Sequence, residues 1–205
     1  SSLPQTVLLN PNPDPIVERI LTGFPGLPLS ACDNYDDMAE LVVRDQPEVV
    51  LAFKVGTQGT FPRDVVLNTD SVKWIQASGA GVDHWAPWDP DKVTLTNASG
   101  IHGDVMSQYV VWAILNHHLG FPKLARQQAA KEWKKRLLTP TTGLTLVIIG
   151  FGNIGAEVGR LAKSLGMKVI GIRAHPEPSP MADQVIGLDG MNAALGDADF
   201  VLNVL

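Results

Sequence analysis

Thiols, clustered positive charge and long apolar runs are all scarce in this sequence. One cysteine, Cys32, stands among 205 residues. No intrachain disulfide can form, and no zinc site can be assembled from thiolates. A reducing interior fits that usage, and no metal is expected. The formal net charge is −5, with no run of lysines or arginines. The densest basic group, Lys131, Lys134, Lys135 and Arg136, shares its segment with Glu132 and reads as the solvated face of an amphipathic helix. A nucleic-acid partner is not expected, because the whole chain would still repel a phosphate backbone. No stretch reaches the roughly 18 apolar residues of a membrane helix. The opening residues, SSLPQTVLLNPNP, have neither the basic region nor the apolar core of a signal peptide. No membrane partner is expected, and a cytoplasmic location is.

What is present describes a globular α/β protein. Apolar residues make up 45% and charged residues 18% of the chain, enough for a real core. Short apolar runs alternate with short helical patterns. Strands are expected at Thr6 to Leu9, Leu27 to Ala31, Glu48 to Phe53, Val72 to Gln76 and Val93 to Asn97. Between them, Asp14 is expected to cap a helix with Pro15 at its first position and Ile16, Val17, Ile20 and Leu21 on one face. Tyr35 to Arg44 reads as a second helix, and Val65, Val66 and Leu67 mark a short third one. Such alternation gives a small doubly wound sheet.

From Gly103 to Leu119 the pattern changes to one long helix. It is apolar almost all round (Val105, Met106, Tyr109, Val110, Trp112, Ala113, Ile114, Leu115), which predicts burial on several sides. Such a helix suits a junction between lobes or between subunits. Another helix, Leu124 to Lys135, is expected to carry Trp133. Past Arg173, strands are expected at Gln184 to Ile186 and Asp199 to Leu205, with a helix turn at Asp189 to Leu195.

The strongest signal runs from Leu144 to Arg173. A buried strand, Leu144 to Ile149, leads into Gly150-Phe151-Gly152-Asn153-Ile154-Gly155. A helical pattern continues through Ile154, Val158, Leu161, Ala162 and Leu165, and Gly166 stops it. Lys168 to Ile172 is the next strand. A G-x-G-x-x-G alone is weak, but inside a βαβ unit of about 30 residues it points to a dinucleotide. Gly150 suits the tight turn, Gly152 the approach of a pyrophosphate, and Gly155 close packing of helix on strand. The helix N-terminus then offers free N–H groups to the anion. The competing reading is an ordinary glycine-rich turn with no ligand.

The position that usually carries an acidic residue for the NAD ribose is Arg173. A guanidinium can hold a 2′-phosphate through two charge-assisted hydrogen bonds where a carboxylate would repel it. NADP is therefore preferred as cofactor, with NAD possible. Arg173 stacked on adenine or pointing to solvent is the alternative.

A second turn of small residues, Ser78-Gly79-Ala80-Gly81-Val82-Asp83, leaves backbone N–H groups unobstructed, as an anion nest requires. On the residues alone, a plain turn with Asp83 capping the next segment is equally good.

Together, VKWIQASGAGVDHW at 72–85, MSQYV at 106–110, GFGNIG at 150–155 and DADFVLNVL at 197–205 resemble the D-isomer-specific 2-hydroxyacid dehydrogenases. Met106, Tyr109, Gln127 and Trp133 look most like the NADPH-preferring glyoxylate/hydroxypyruvate reductase branch. Gln108 departs from the family's usual glutamate. The resemblance implies an α/β chain with a flavodoxin-like substrate lobe at 1–100, followed by an incomplete Rossmann-type doubly wound parallel sheet at 101–205. It implies that the amides of Ala80 and Gly81 bind the carboxylate of a small 2-oxoacid. It puts Met106 near the nicotinamide, Asn153 and Ile154 at the pyrophosphate, and Leu205 among the cofactor-binding positions. A homodimer is the implied assembly of the full-length protein.

The family's arginine, glutamate and histidine for catalysis are expected beyond residue 205, so the chain reads as truncated after the fourth strand of its cofactor domain. None of the five histidines (His84, His102, His117, His118, His175) has the catalytic context, and His117 and His118 suit a helix C-terminus. The 205 residues alone are expected to be inactive. Two other readings stand beside the reductase: a nucleotide-binding module without turnover, and a formate- or phosphite-type dehydrogenase on the same architecture.

Overall fold

The computed structural model describes residues 2–53 and 59–205. It divides into two units, Ser1–Ser99 and Gly100–Leu205. Each is a parallel sheet flanked by helices.

In the first unit, β1 (Thr6–Leu9), β2 (Leu29–Cys32), β3 (Val49–Ala52), β4 (Trp74–Ala77) and β5 (Thr94–Thr96) pair in the order β2-β1-β3-β4-β5. All the pairings are parallel. That order is the flavodoxin-like one. Val7, Leu9, Val50 and Ile75 are fully buried between the sheet and α2 (Tyr35–Asp45) and α3 (Arg63–Leu67), with Met38, Val42 and Val66. Each such side chain contributes about 1.5–3 kcal/mol relative to exposure. Asn34 caps α2 by accepting from the Asp37 N–H, satisfying one of the helix's orphan donors.

The first helix, α1 (Asp14–Gly23), corrects one expectation. Pro13 occupies the cap position and makes no side-chain bond, so Asp14 lies inside the helix as an acidic first-turn residue. Its apolar stripe is only half-buried, and Leu21 is exposed. β1 runs as expected, whereas β2 to β5 are shorter than their apolar runs and shifted by up to two residues, because ladder pairing ends before hydrophobicity does.

The second unit opens with α4 (Gly103–His118) and α5 (Phe121–Ala129). Its sheet holds β6 (Thr145–Ile149), β7 (Lys168–Ile172), β8 (Gln184–Ile186) and β9 (Phe200–Asn203), in the order β8-β7-β6-β9. Again every pairing is parallel, corresponding to strands 3-2-1-4 of the Rossmann order. Helix α6 (Asn153–Ser164) joins β6 to β7, and Gly166, at φ +75°, ends the connection. A 3₁₀ turn, Leu188–Gly190, precedes α7 (Met191–Gly196), where one continuous helix turn was expected.

Two further expectations fail here. Helix α4 is buried only at Gly103, Ser107 and Ile114, whereas Val105, Tyr109 and Trp112 are exposed. Its all-round apolarity therefore does not mean all-round burial. The next helix starts earlier and ends sooner than Leu124 to Lys135. Pro122 fits its first turn, and Lys131, at φ +54°, breaks the helical path. Trp133 and the cluster Lys131, Lys134, Lys135 and Arg136 therefore lie on an irregular segment, not on a helix face.

Candidate functional site

The fingerprint turn of the second unit is built from below by backbone bonds. The N–H groups of Gly150 and Phe151 both donate to the Ile172 carbonyl at 3.0 Å, and the Gly152 N–H donates to the Gly150 carbonyl at 2.9 Å. The Ala156 N–H then makes the first intrahelical bond, to the Gly152 carbonyl at 2.8 Å. The N–H groups of residues 153–155 precede that bond, at the N-terminus of α6. Gly152 caps α6 without a side chain.

The three glycines differ in what requires them. Gly150 has φ +94°, and a Cβ there would meet the Val204 carbonyl oxygen at 2.6 Å and the Leu205 nitrogen at 3.0 Å. The strand's exit from β9 thus crosses directly over this glycine, which brings Leu205 to the turn. A Cβ on Gly155 would lie 2.7 Å from the Gly150 carbonyl oxygen and 3.1 Å from Ile148 Cγ2. Gly152 has an ordinary extended backbone (φ −98°, ψ −150°), and a Cβ on it would touch nothing within 4 Å. The fold demands glycine at 150 and 155 but not at 152. What a side chain at 152 would fill is open space at a helix N-terminus, the room a pyrophosphate needs.

The other expected cofactor positions are spread around this turn. Asn153 Nδ2 lies 3.4 Å from where a Gly100 Cβ would sit. Met106 is on α4, partly exposed, and that helix packs on α6 with Gly103 against Glu157. Arg173 comes directly after β7; its N–H donates to the Ile186 carbonyl at 3.1 Å and its side chain is exposed. His117 and His118 sit in the last turn of α4, both edge-on to Phe200, and His118 Nε2 reaches the carbonyls of Thr139 and Pro140 at 3.0 and 3.2 Å.

In the first unit, the Ser78-to-Asp83 turn leaves β4 at the carboxyl ends of the strands. The Ser78 N–H donates to the Ala52 carbonyl at 3.0 Å. A cavity of about 350 Å³ opens there, lined by Ala52, Ser78, Gly79, Gly81, Asp83 and His84. No atom lies within 4 Å of a Cβ built on Gly79 or Gly81. Ala80 is held beside them, its carbonyl accepting from Asn97 Nδ2 at 2.9 Å. Asp83 is no helix cap: a three-residue 3₁₀ turn, Asp83–Trp85, begins after Val82 with no side-chain cap. The sequence pattern gives neither Asp83 nor His84 a place on this cavity. The His84 ring packs edge-on against Phe61, with centroids 5.1 Å apart.

A family model, D-isomer specific 2-hydroxyacid dehydrogenase, NAD binding domain, matches residues 111–205. Those residues are thus similar to the NAD-binding domain of the D-isomer specific 2-hydroxyacid dehydrogenases. Over 141 residues it is 36% identical to an erythronate-4-phosphate dehydrogenase of Psychrobacter arcticus, covering 66% of this chain and 32% of that protein. It is 26% identical over 162 residues to a hydroxypyruvate reductase of Thermotoga maritima, covering 76% of this chain and 51% of the relative. A solved family member from Aeromonas salmonicida superposes with a TM-score of 0.82 at 29% identity, over 98% of this chain and 64% of its own. The chain thus spans about a third to two thirds of the length of these relatives.

Proposed function

We propose that the protein reduces a small 2-oxoacid, such as glyoxylate or hydroxypyruvate, to its D-2-hydroxyacid with NADPH. The observation that carries the dinucleotide part is Gly152: the fold has no use for a glycine there, and a ligand does. In this reading the amides of Asn153, Ile154 and Gly155 take the pyrophosphate, and Arg173 takes the 2′-phosphate. Gly150 and Gly155 hold the turn, and Met106 and Leu205 flank the remainder of the cofactor.

A nicotinamide, when bound, would supply the hydride that the carbonyl carbon takes. The amides of Ala80 and Gly81 hold the substrate carboxylate in the cavity of the first unit. The carbonyl oxygen then needs a proton. Among the described residues lining that cavity there is no arginine, and its one imidazole packs edge-on against Phe61. The 205 residues are therefore expected to bind dinucleotide without turning over.

The relative from Psychrobacter favours a second substrate reading, a phosphorylated 2-hydroxyacid. We further infer a homodimer, supported by exposed Tyr109, Trp112, Phe121, Trp133 and Leu137 in the second unit. A reducing, cytoplasmic setting fits Cys32, whose thiol is pushed up to about 11 by burial and then by Asp37 and Asp33. Among the described residues no helix is long and apolar enough to cross a membrane.

The test is calorimetric titration of the chain with NADPH and NADH, followed by an assay of NADPH oxidation with glyoxylate and hydroxypyruvate. Binding of NADPH tighter than NADH, without turnover, is expected. Binding of neither would end the dinucleotide reading, and turnover at an ordinary enzyme's roughly 1–10³ s⁻¹ would end the division of labour.

A further inference from the structure

Two glycines outside the fingerprint occupy places that suit glycine poorly. Gly171 lies inside β7, where it adds no packing, and Gly159 lies in the middle of α6, where glycine is less favourable than alanine by about 1 kcal/mol. A Cβ on Gly171 would sit 2.4 Å from Phe151 Cγ and 2.5 and 2.9 Å from its two Cδ atoms. A Cβ on Gly159 would meet the Met181 carbonyl oxygen at 2.4 Å and Phe151 Cε2 at 3.3 Å. Gly171 makes room for the Phe151 ring, and Gly159 chiefly for the Met181 carbonyl with the edge of that ring beside it.

That ring belongs to the first variable residue of the fingerprint. Phe151 is 4% exposed, which is unusual for a residue in a turn meant to face a ligand. Its backbone N–H and that of Gly150 share one acceptor, the Ile172 carbonyl, the residue after Gly171. The turn is therefore fastened at two points on β7: by hydrogen bonds to Ile172 and by a ring seated on Gly171. Next after the ring comes Gly152, and then the first N–H groups of α6.

We infer that Phe151 is the positioning residue of the pyrophosphate turn. Its ring, seated on Gly171 and beside Gly159, fixes where the N–H groups of residues 153–155 point. The inference rests on the dinucleotide reading above and adds a residue that itself touches no ligand. Charge-assisted bonds depend steeply on direction and distance, so a turn released from its seat loses pyrophosphate affinity while its other parts keep theirs.

The experiment compares three probes on the 205-residue chain. NADPH and 2′-phospho-ADP-ribose contain the pyrophosphate; adenosine 2′-monophosphate does not. Wild-type binding is measured first. Phe151→Ala should weaken the first two by about tenfold or more and leave the third nearly unchanged. Phe151→Leu, which refills most of the seat, should recover most of that loss.

Gly171→Ala keeps the phenylalanine but evicts its ring, and should give the same ligand pattern. The double variant Phe151→Ala/Gly171→Ala places a methyl in the vacated space. It should melt higher than Phe151→Ala while pyrophosphate binding stays lost, and it carries the test should the single alanine variant fail to fold. Equal weakening of all three probes, or unchanged NADPH affinity alongside a lowered melting temperature, would overturn the positioning role. A wild-type chain that binds none of the probes would overturn the dinucleotide reading itself, and this inference with it.

Discussion

The two glycine-rich turns of this chain are alike up to the last residue of their strands and different immediately after. Each leaves a central parallel strand, β4 or β6, and each bonds its first amides back to a neighbouring strand. The turn after β4 enters three residues of 3₁₀ helix. The turn after β6 enters twelve residues of α-helix. A helix of that length presents about half a unit of positive charge at its start; a single 3₁₀ turn presents little. The first turn also carries a carboxylate, Asp83, on its cavity. The second site can hold an anion with its own backbone. The first has only its short turn's amides, with that carboxylate beside them.

The largest effect should come from breaking the second turn as structure. Gly155→Val would drive a side chain into the Gly150 carbonyl oxygen. It should lower the melting temperature of that unit by about 10–20 °C, read by calorimetry. A shift of only a degree or two would mean that α6 is not packed closely on β6.

Arg173→Asp should cost NADPH binding about 2–4 kcal/mol more than it costs NADH binding, through a lost charge-assisted pair and added repulsion. Titration with both cofactors reads this directly, and equal losses would remove Arg173 as the discriminator.

The first turn should behave oppositely to the second. Because a Cβ on Gly81 meets nothing within 4 Å, Gly81→Val should leave folding intact. If the proposed reduction holds, it should raise the KM for a 2-oxoacid by about tenfold. Dinucleotide affinity should stay the same. Loss of melting cooperativity in the first unit would show that the glycine serves the fold there too.

Acid should produce the smallest difference. Asp183 accepts from the Val169 N–H and pairs with Lys163, and both hold its carboxyl below the usual carboxylate range. Since the folded value is the depressed one, its stabilisation is complete above the ordinary carboxylate range and fades as pH falls through it toward the folded value. Asp183→Asn should therefore flatten the acid limb of a melting-temperature profile slightly. An unchanged limb would show that Asp183 adds nothing there.

Much of this was legible in the residues. β7 and β8 run where their residues predict, and β7 does so because a strand buried on both faces announces itself as a continuous apolar run. The fingerprint was legible because its glycines are fixed in spacing. α5 was misplaced because its start is set by Pro122 and its end by Lys131 at positive φ, and neither shows as periodicity. The exposure of α4 was hidden for a different reason: an apolar face looks the same in sequence whether or not anything covers it. Phe151 escaped because its role is written at Gly159 and Gly171, 8 and 20 positions away. A glycine in mid-strand was the available signal.

The central claim is that Gly152 serves a ligand and not the fold. Gly152→Asp tests it with effects of opposite sign. The backbone at 152 already has the extended geometry of an N-cap, so an aspartate should cap α6 and stabilise the chain by a few tenths of a kcal/mol. The same carboxylate would stand where the pyrophosphate must lie, and NADPH affinity should fall by about a hundredfold. A melting temperature held or raised, with NADPH binding lost, is the predicted result; a variant that binds NADPH as well as the wild type would contradict the account.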